Sequence, residues 1–359
     1  MIRPRLLLLN SMLLVSLCAT PAFAGGNSDF LFFLSADYLV RNSLESSALD
    51  DSDFTPTVDL LYSYNNGPWR ILGEYFATDD EAELERLQFG LDLSADSTIW
   101  VGRFHQPISV WNHQYHHGAY LQPGISRPAI ENWEDNSGVL PAHVTGFMFD
   151  GWQPLSENSG LRIAASVGLG PDITVGELLP FDLVDPGDTD GRLAGGIDIA
   201  YFPDYVAESN FGLLGGYAEI VAPPNLQLGN LSNITIRQKM IGVHGNWESG
   251  NWHLIGAAYY VDNTPNDTSV MAGGYFVAGY LQALYEFDDD NSLYSRVERT
   301  RNPESPYLQL FPEYVHQREL IGYRWDFAEK QALHIEASSN RIVGDKFSAL
   351  QIQWSAAFP

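Results

Sequence analysis

Apolar and polar side chains alternate with a period of two through most of this chain. In residues 30–41, Phe30, Phe32, Leu34, Ala36, Tyr38 and Val40 share one face, the mark of a strand with one apolar side. Val58, Leu60, Tyr62 and Tyr64 repeat the pattern against Thr57, Asp59 and Ser63. Asn65-Asn66-Gly67-Pro68 then reads as a tight turn. Beyond it Trp69, Ile71, Gly73 and Tyr75 alternate with Arg70, Leu72, Glu74 and Phe76, and Leu87, Phe89, Leu91 and Leu93 with Arg86, Gln88, Gly90 and Asp92. A fifth run occupies 99–105.

Residues 106–142 interrupt the alternation with a long stretch that has no period of its own. Such a connection is usually functional or disordered. Its wealth of Trp, Tyr, His, Gly and Pro favours function, and its place between two strands suits a segment folded back to narrow a channel. Strand-like runs resume at 143–153, 160–169, 191–202, 210–221, 234–247, 251–262, 274–287, 291–300, 314–327, 331–340 and 347–358, which makes 16 in all. Short connections such as 155–159, 203–209, 248–251, 288–291 and 328–331 alternate with longer ones at 43–56, 170–190, 222–232, 263–273 and 301–313. This grammar predicts a 16-stranded antiparallel transmembrane β-barrel, with short turns on one side of a membrane and long loops on the other.

Composition sharpens the class. Aromatic residues make up 13% of the chain and the net charge is −26, which argues against nucleic acid as a partner. Past the N-terminus no stretch approaches 18 unbroken apolar residues, so a helical span is excluded. Residues 1–24 read as a cleaved signal peptide: Arg3 and Arg5, an apolar run from Leu6 to Leu17, and Ala22-Phe23-Ala24 before Gly25. The single cysteine, Cys18, falls in that leader, so no disulfide is expected in the mature chain. Residues 25–359 then form one barrel domain in the outer membrane.

The last run places Leu350, Ile352, Trp354, Ala356 and Phe358 on one face. It resembles the C-terminal recognition strand of Gram-negative outer-membrane proteins, departing from it by the extra Pro359. The strand count, with the longest early loop after the fifth strand, is similar to that of the trimeric general porins. This resemblance implies a homotrimer in contact with the lipid bilayer and lipopolysaccharide. It also implies a water-filled channel for small hydrophilic solutes or ions, narrowed by the third extracellular loop. Carried over by position, the acidic side of the constriction would be Glu131, Glu134 and Asp135, facing Arg70, Arg86 and Arg103 on the wall. Opposed charges of this kind set ion preference. Arg192, Asp198, Arg237, Lys239, Arg318 and Arg324 are further lumen candidates.

Five of the nine histidines, His105, His113, His116, His117 and His143, lie in the long stretch or at its edges. His113, His116 and His117 are weak candidates for a metal site, since their spacing matches no standard ligand pattern. No local signature assembles a nucleophile, a base and an orienting group. The expected activity is therefore passive, with no enzyme and no cofactor. A substrate-specific channel for an anion, a sugar or a transition-metal ion stays open, as does a plugged barrel with an enzymatic or structural role.

Overall fold

The computed structural model describes residues 27–43, 51–115, 118–134, 137–174, 176–181, 183, 190–204, 209–223 and 233–359. The expected signal peptide lies outside the described residues. Sixteen strands form the wall. The first eight are β1 Asn27–Ser43, β2 Asp51–Asn66, β3 Trp69–Ala77, β4 Ala82–Ser94, β5 Ser97–His105, β6 His143–Pro154, β7 Gly160–Leu169 and β8 Leu193–Phe202. The rest are β9 Asn210–Ala222, β10 Ile234–Ser249, β11 Trp252–Pro265, β12 Gly274–Asp288, β13 Asn291–Arg301, β14 Gln317–Ala328, β15 Gln331–Ile342 and β16 Asp345–Phe358.

Each strand pairs antiparallel with its chain neighbours, and the sheet closes on itself. Strand β1 meets β2 from Asn27↔Asn65 to Arg41↔Asp51 on one side and β16 from Phe32↔Phe358 to Ser43↔Phe347 on the other. Closure leaves no strand edge unpaired. The C-terminal run thus forms the closing seam.

Burial along the strands inverts the soluble pattern. In β15, Ile335 is exposed while His334 and Glu336 beside it are buried, and in β10 Ile241 and Val243 are exposed while Gln238 and Asn246 are buried. A wall with hydrocarbon on one side and polar groups on the other requires this arrangement.

The strands reach beyond the alternating segments at several ends. Strand β2 begins at Asp51, where Asp51, Ser52 and Asp53 carry no apolar alternation but pair with Arg41, Val40 and Leu39. Backbone ladders hold those residues whatever their side chains are, which a pattern of side chains cannot reveal. Strands β15 and β16 are joined by Val343 and Gly344 alone, with Gly344 at φ 88°. Between β3 and β4 the register shifts, from Glu74↔Arg86 to Tyr75↔Leu84, leaving Glu85 as an extra residue in a bulge.

The stretch 106–142 is folded rather than irregular. It contains a short helix, α1 Val110–Gln114, and 3₁₀ turns at Ala119–Leu121 and Ala129–Glu131. The Ser109 hydroxyl accepts the Asn112 N–H at 3.3 Å and caps α1. Ile108, Trp111, Ile130 and Val139 are buried in one apolar cluster with Ile236, Tyr259 and Phe276 of the wall and with Tyr307 and Phe311 from the 302–316 connection.

Candidate functional site

Three arginines of the wall bind backbone carbonyls of the 106–142 loop. Arg296 donates to Ser126 O at 2.8 Å, Arg318 to Arg127 O at 2.9 Å and Arg324 to Tyr120 O at 3.0 Å. Each is held by carboxylates or amides of its own wall. Arg296 reaches Glu298 at 2.8 Å and Gln282 at 3.0 Å, Arg318 reaches Asn340 at 2.8 Å, and Arg324 reaches Asp326 at 2.7 Å. Carboxylates bind the loop's donors in return. Glu298 accepts the Ala129 N–H at 2.8 Å, and Glu336 accepts from Ser126 and from the Tyr294 hydroxyl, the latter at 3.0 Å. Gln282 and Gln238 complete the set by donating to Pro123 O and Val139 O at 3.1 and 3.2 Å. Tyr307 donates to the same Val139 carbonyl at 3.0 Å, and burial pushes its hydroxyl well above the ordinary phenol range, so it remains a donor.

The loop binds itself with equal care. The Arg127 guanidinium lies 3.8 Å from the centre of the Trp133 ring and donates to Asn112 Oδ1 at 2.6 Å. Glu131 accepts from Ser109 at 2.6 Å, from the Trp111 N–H at 2.9 Å, and from the Tyr259 hydroxyl. Glu134 accepts the backbone N–H groups of Ala142 and His143 at 2.6 and 2.8 Å. Both carboxylates are thus buried acceptors inside the loop and at its junction with the wall. Asp135 lies outside the described residues.

The three expected wall arginines do not come together opposite them. Arg70 sits beside the Gly67-Pro68 turn, half exposed, with Asp92 at 2.6 Å. Arg86 pairs with buried Glu74. Arg103 donates to the carbonyls of Glu85 and Phe181 at 3.1 and 3.2 Å. It also falls out of phase with Arg86, because it pairs with Leu87. Gly102, at φ 136°, breaks the alternation of β5 just before it, and a Cβ there would stand 1.9 Å from Leu87 O. Three consecutive residues, Arg103, Phe104 and His105, are buried as a result.

Of the further candidates, Arg318 and Arg324 stand where wall and loop meet. Asp198 is buried against His244 at 2.8 Å, and Arg192 is exposed beside Asp190 at 3.8 Å. Arg237 and Lys239 require correction. They are exposed and share the parity of Ile241 and Val243, not that of buried Gln238 and Met240. The period of two decides this, and it places them on the apolar outer row. Sequence reasoning missed Arg296. Its signal was the alternation of Tyr294, Arg296 and Glu298 with Leu293, Ser295 and Val297.

A cavity of about 460 Å³ remains between the loop and the adjoining wall. Ser126, Arg127 and Trp133 line it from the loop, while Asp37, Arg41, Asp53, Asn340 and Gln353 line it from β1, β2, β15 and β16. His116, His117 and the side chain of His113 lie outside the described residues.

This architecture is that of the 16-stranded, porin-like barrels of the outer membrane. Among solved structures, the chain is similar to an anion-selective porin from Comamonas acidovorans, with a TM-score of 0.60 at 13% identity over 93% of this chain and 100% of that one. It is also similar to the outer-membrane channel DcaP of Acinetobacter baumannii, with a TM-score of 0.58 at 12% identity over 94% and 98% of the two chains. OmpT, an outer-membrane protein of Vibrio cholerae in a trimer form, gives 0.57 at 10% identity over 93% and 100%. No family model matches the chain, and no curated protein sequence does.

Proposed function

We propose that this chain is an outer-membrane porin that lets small hydrophilic solutes and ions diffuse passively, with 106–142 lying in the lumen as its constriction loop. The observation that carries the reading is the set of hydrogen bonds joining that loop to the wall's buried polar row, from Gln238 on β10 to Glu336 on β15. A loop held to that row narrows the barrel and leaves the cavity bounded by β1, β2, β15 and β16 as the passage. The signal peptide, trimeric assembly, contact with lipopolysaccharide and absence of catalysis belong to the same proposal.

The transverse charges of the constriction differ from those expected by position. Asp37, Asp53, Glu85 and Glu313 line the cavity together with Arg41, Arg127 and Arg318. Arg318 is 3.3 Å from Glu298 and Glu85 is 2.9 Å from His143, so Asp37, Asp53 and Glu313 outnumber Arg41 and Arg127 in the field that a passing ion meets.

The test is single-channel conductance and reversal potential of the refolded chain in a planar bilayer under a salt gradient. Open channels with a cation-favouring potential support the reading. Saturable block by one anion, sugar or metal ion would move it to a substrate-specific channel. Silence from folded, inserted protein would overturn it.

A further inference from the structure

We propose that Glu85, His105 and His143 form a site for one divalent transition-metal ion, with zinc as the natural occupant, fastening both ends of the 106–142 loop to the wall. Among the described residues they are the one group of three or more such side chains gathered closely enough to share an ion, with one ligand atom from each all within 4.8 Å of one another. The placement follows from the fold. His105 ends β5, His143 begins β6, and the two are direct cross-strand partners, which sets their side chains next to each other. Glu85 is delivered from the neighbouring strand by the β4 bulge.

An independent feature orients the site. Glu134 Oε2 lies 2.8 Å from His143 Nδ1. Its other oxygen is fixed by the backbone N–H groups of Ala142 and His143 at 2.6 and 2.8 Å. A carboxylate on one ring nitrogen fixes the tautomer and turns the other nitrogen toward a metal, and such outer partners accompany most metal-bound histidines. The turned nitrogen, His143 Nε2, points at Glu85 Oε2 from 2.9 Å. A metal ion would sit beside that line and take both atoms as ligands in place of their mutual hydrogen bond.

The donor set selects the ion. Two imidazoles and one carboxylate, with a fourth position open, suit zinc and its neighbours in the first transition row. Tetrahedral zinc bonds of about 2.0–2.2 Å set ligand atoms about 3.4 Å apart, so the 2.9 Å pair of His143 and Glu85 must open slightly while the wider spacings, up to 4.8 Å, close. The surroundings are dry and shaped. The Trp133 ring stacks on His143 at 5.2 Å and lies 4.9 Å from His105. Glu85 and Trp133 also line the cavity, which supplies an entry path and room for a water as fourth ligand.

The experiment uses the full refolded chain, stripped with chelator and titrated with zinc chloride by calorimetry, with cobalt chloride as a spectroscopic probe. One ion per chain, a rise in melting temperature with zinc, and the visible absorption of four-coordinate cobalt are expected. His105→Gln and Glu85→Gln should each weaken zinc binding at least tenfold. Glu134→Gln should weaken it by about 10–100-fold through the orientation of His143. The triple variant His113→Gln, His116→Gln, His117→Gln should bind as the parent does. Absence of zinc uptake by folded parent protein overturns the proposal, leaving His143 as an imidazole held between two carboxylates. Uptake lost in the triple variant but retained in His105→Gln and Glu85→Gln overturns it equally. If those single variants fail to fold, the parent's cobalt spectrum decides: bands of a four-coordinate ion sustain the site and those of a hexaaquo ion remove it.

Discussion

Replacing Arg296 by methionine should loosen the loop from the wall. Methionine keeps the length and apolar bulk but removes the bonds to Glu298, Gln282 and Ser126 O. Breaking a buried ion pair by deleting one partner costs about 3–5 kcal/mol, because the other charge stays buried. Only part of that cost falls on the loop. Two of the three bonds lie within the wall, and Glu298 keeps Arg318 at 3.3 Å and the Ala129 N–H at 2.8 Å. The loop's share is one charge-assisted hydrogen bond, about 1.5–3 kcal/mol, with a weaker contact of the guanidinium over the Trp111 ring at 5.7 Å, so at least roughly a 10–100-fold shift of the docking equilibrium toward release at about 1.4 kcal/mol per decade.

Single-channel recording should therefore show Arg296→Met visiting a higher-conductance level far more often than the parent, and limited proteolysis should cut within 106–142 sooner. The double variant Arg296→Met, Glu298→Gln should recover part of the loss, since it removes the stranded charge, and the coupling between the two sites can be read from the cycle. Parent-like noise and protease resistance from a folded Arg296→Met barrel would refute the idea that this residue fastens the loop.

Three other outcomes are expected. Deleting most of the stretch between Val110 and Asn136 should raise single-channel conductance, and an unchanged value from a folded barrel would take the loop out of the passage. Asp37→Asn with Asp53→Asn should move the reversal potential toward anions, because both carboxylates line the cavity, and a salt-gradient measurement checks the sign. Arg237→Gln with Lys239→Gln should leave conductance and selectivity at parent values, since both residues are on the exposed row, and a changed reversal potential would return them to the lumen.

The wall was legible because a strand in a bilayer writes its two faces into alternate residues. Phe89 and Leu91 against Gln88 and Gly90 needed no partner to be read, and all 16 strands were found where the alternation runs. The ends were harder, as Asp51–Asn66 shows, because strand segments held only by backbone pairing carry no such signature. The loop's place in the sequence was plain from its lack of period, but its chemistry was not. Glu131 and Glu134 look like solvent-facing acids in sequence, yet their partners Ser109, Tyr259 and the Ala142 N–H lie 22, 128 and 8 residues away. Pairings at such separations leave no local trace.

The division of labour among the arginines explains how an acidic chain can hold a buried, polar loop. Most basic side chains of the wall are spent on structure: Arg86 on Glu74, Arg296 and Arg318 on Glu298, Arg324 on Asp326. Each satisfies a wall carboxylate, and Arg296, Arg318 and Arg324 also donate through Nη1 to a loop carbonyl. A planar, permanently charged fork with five donors suits both tasks at once. The loop's carbonyls, which would otherwise be buried without donors, thereby gain partners without any strand being added to the barrel. Arg318 lines the cavity as well but is held to Glu298 at 3.3 Å, so on the β1 and β2 side Asp37 and Asp53 face the cavity against Arg41. The ion pair that helps fix the loop through Arg318 thereby also offsets one of the positive charges along the cavity.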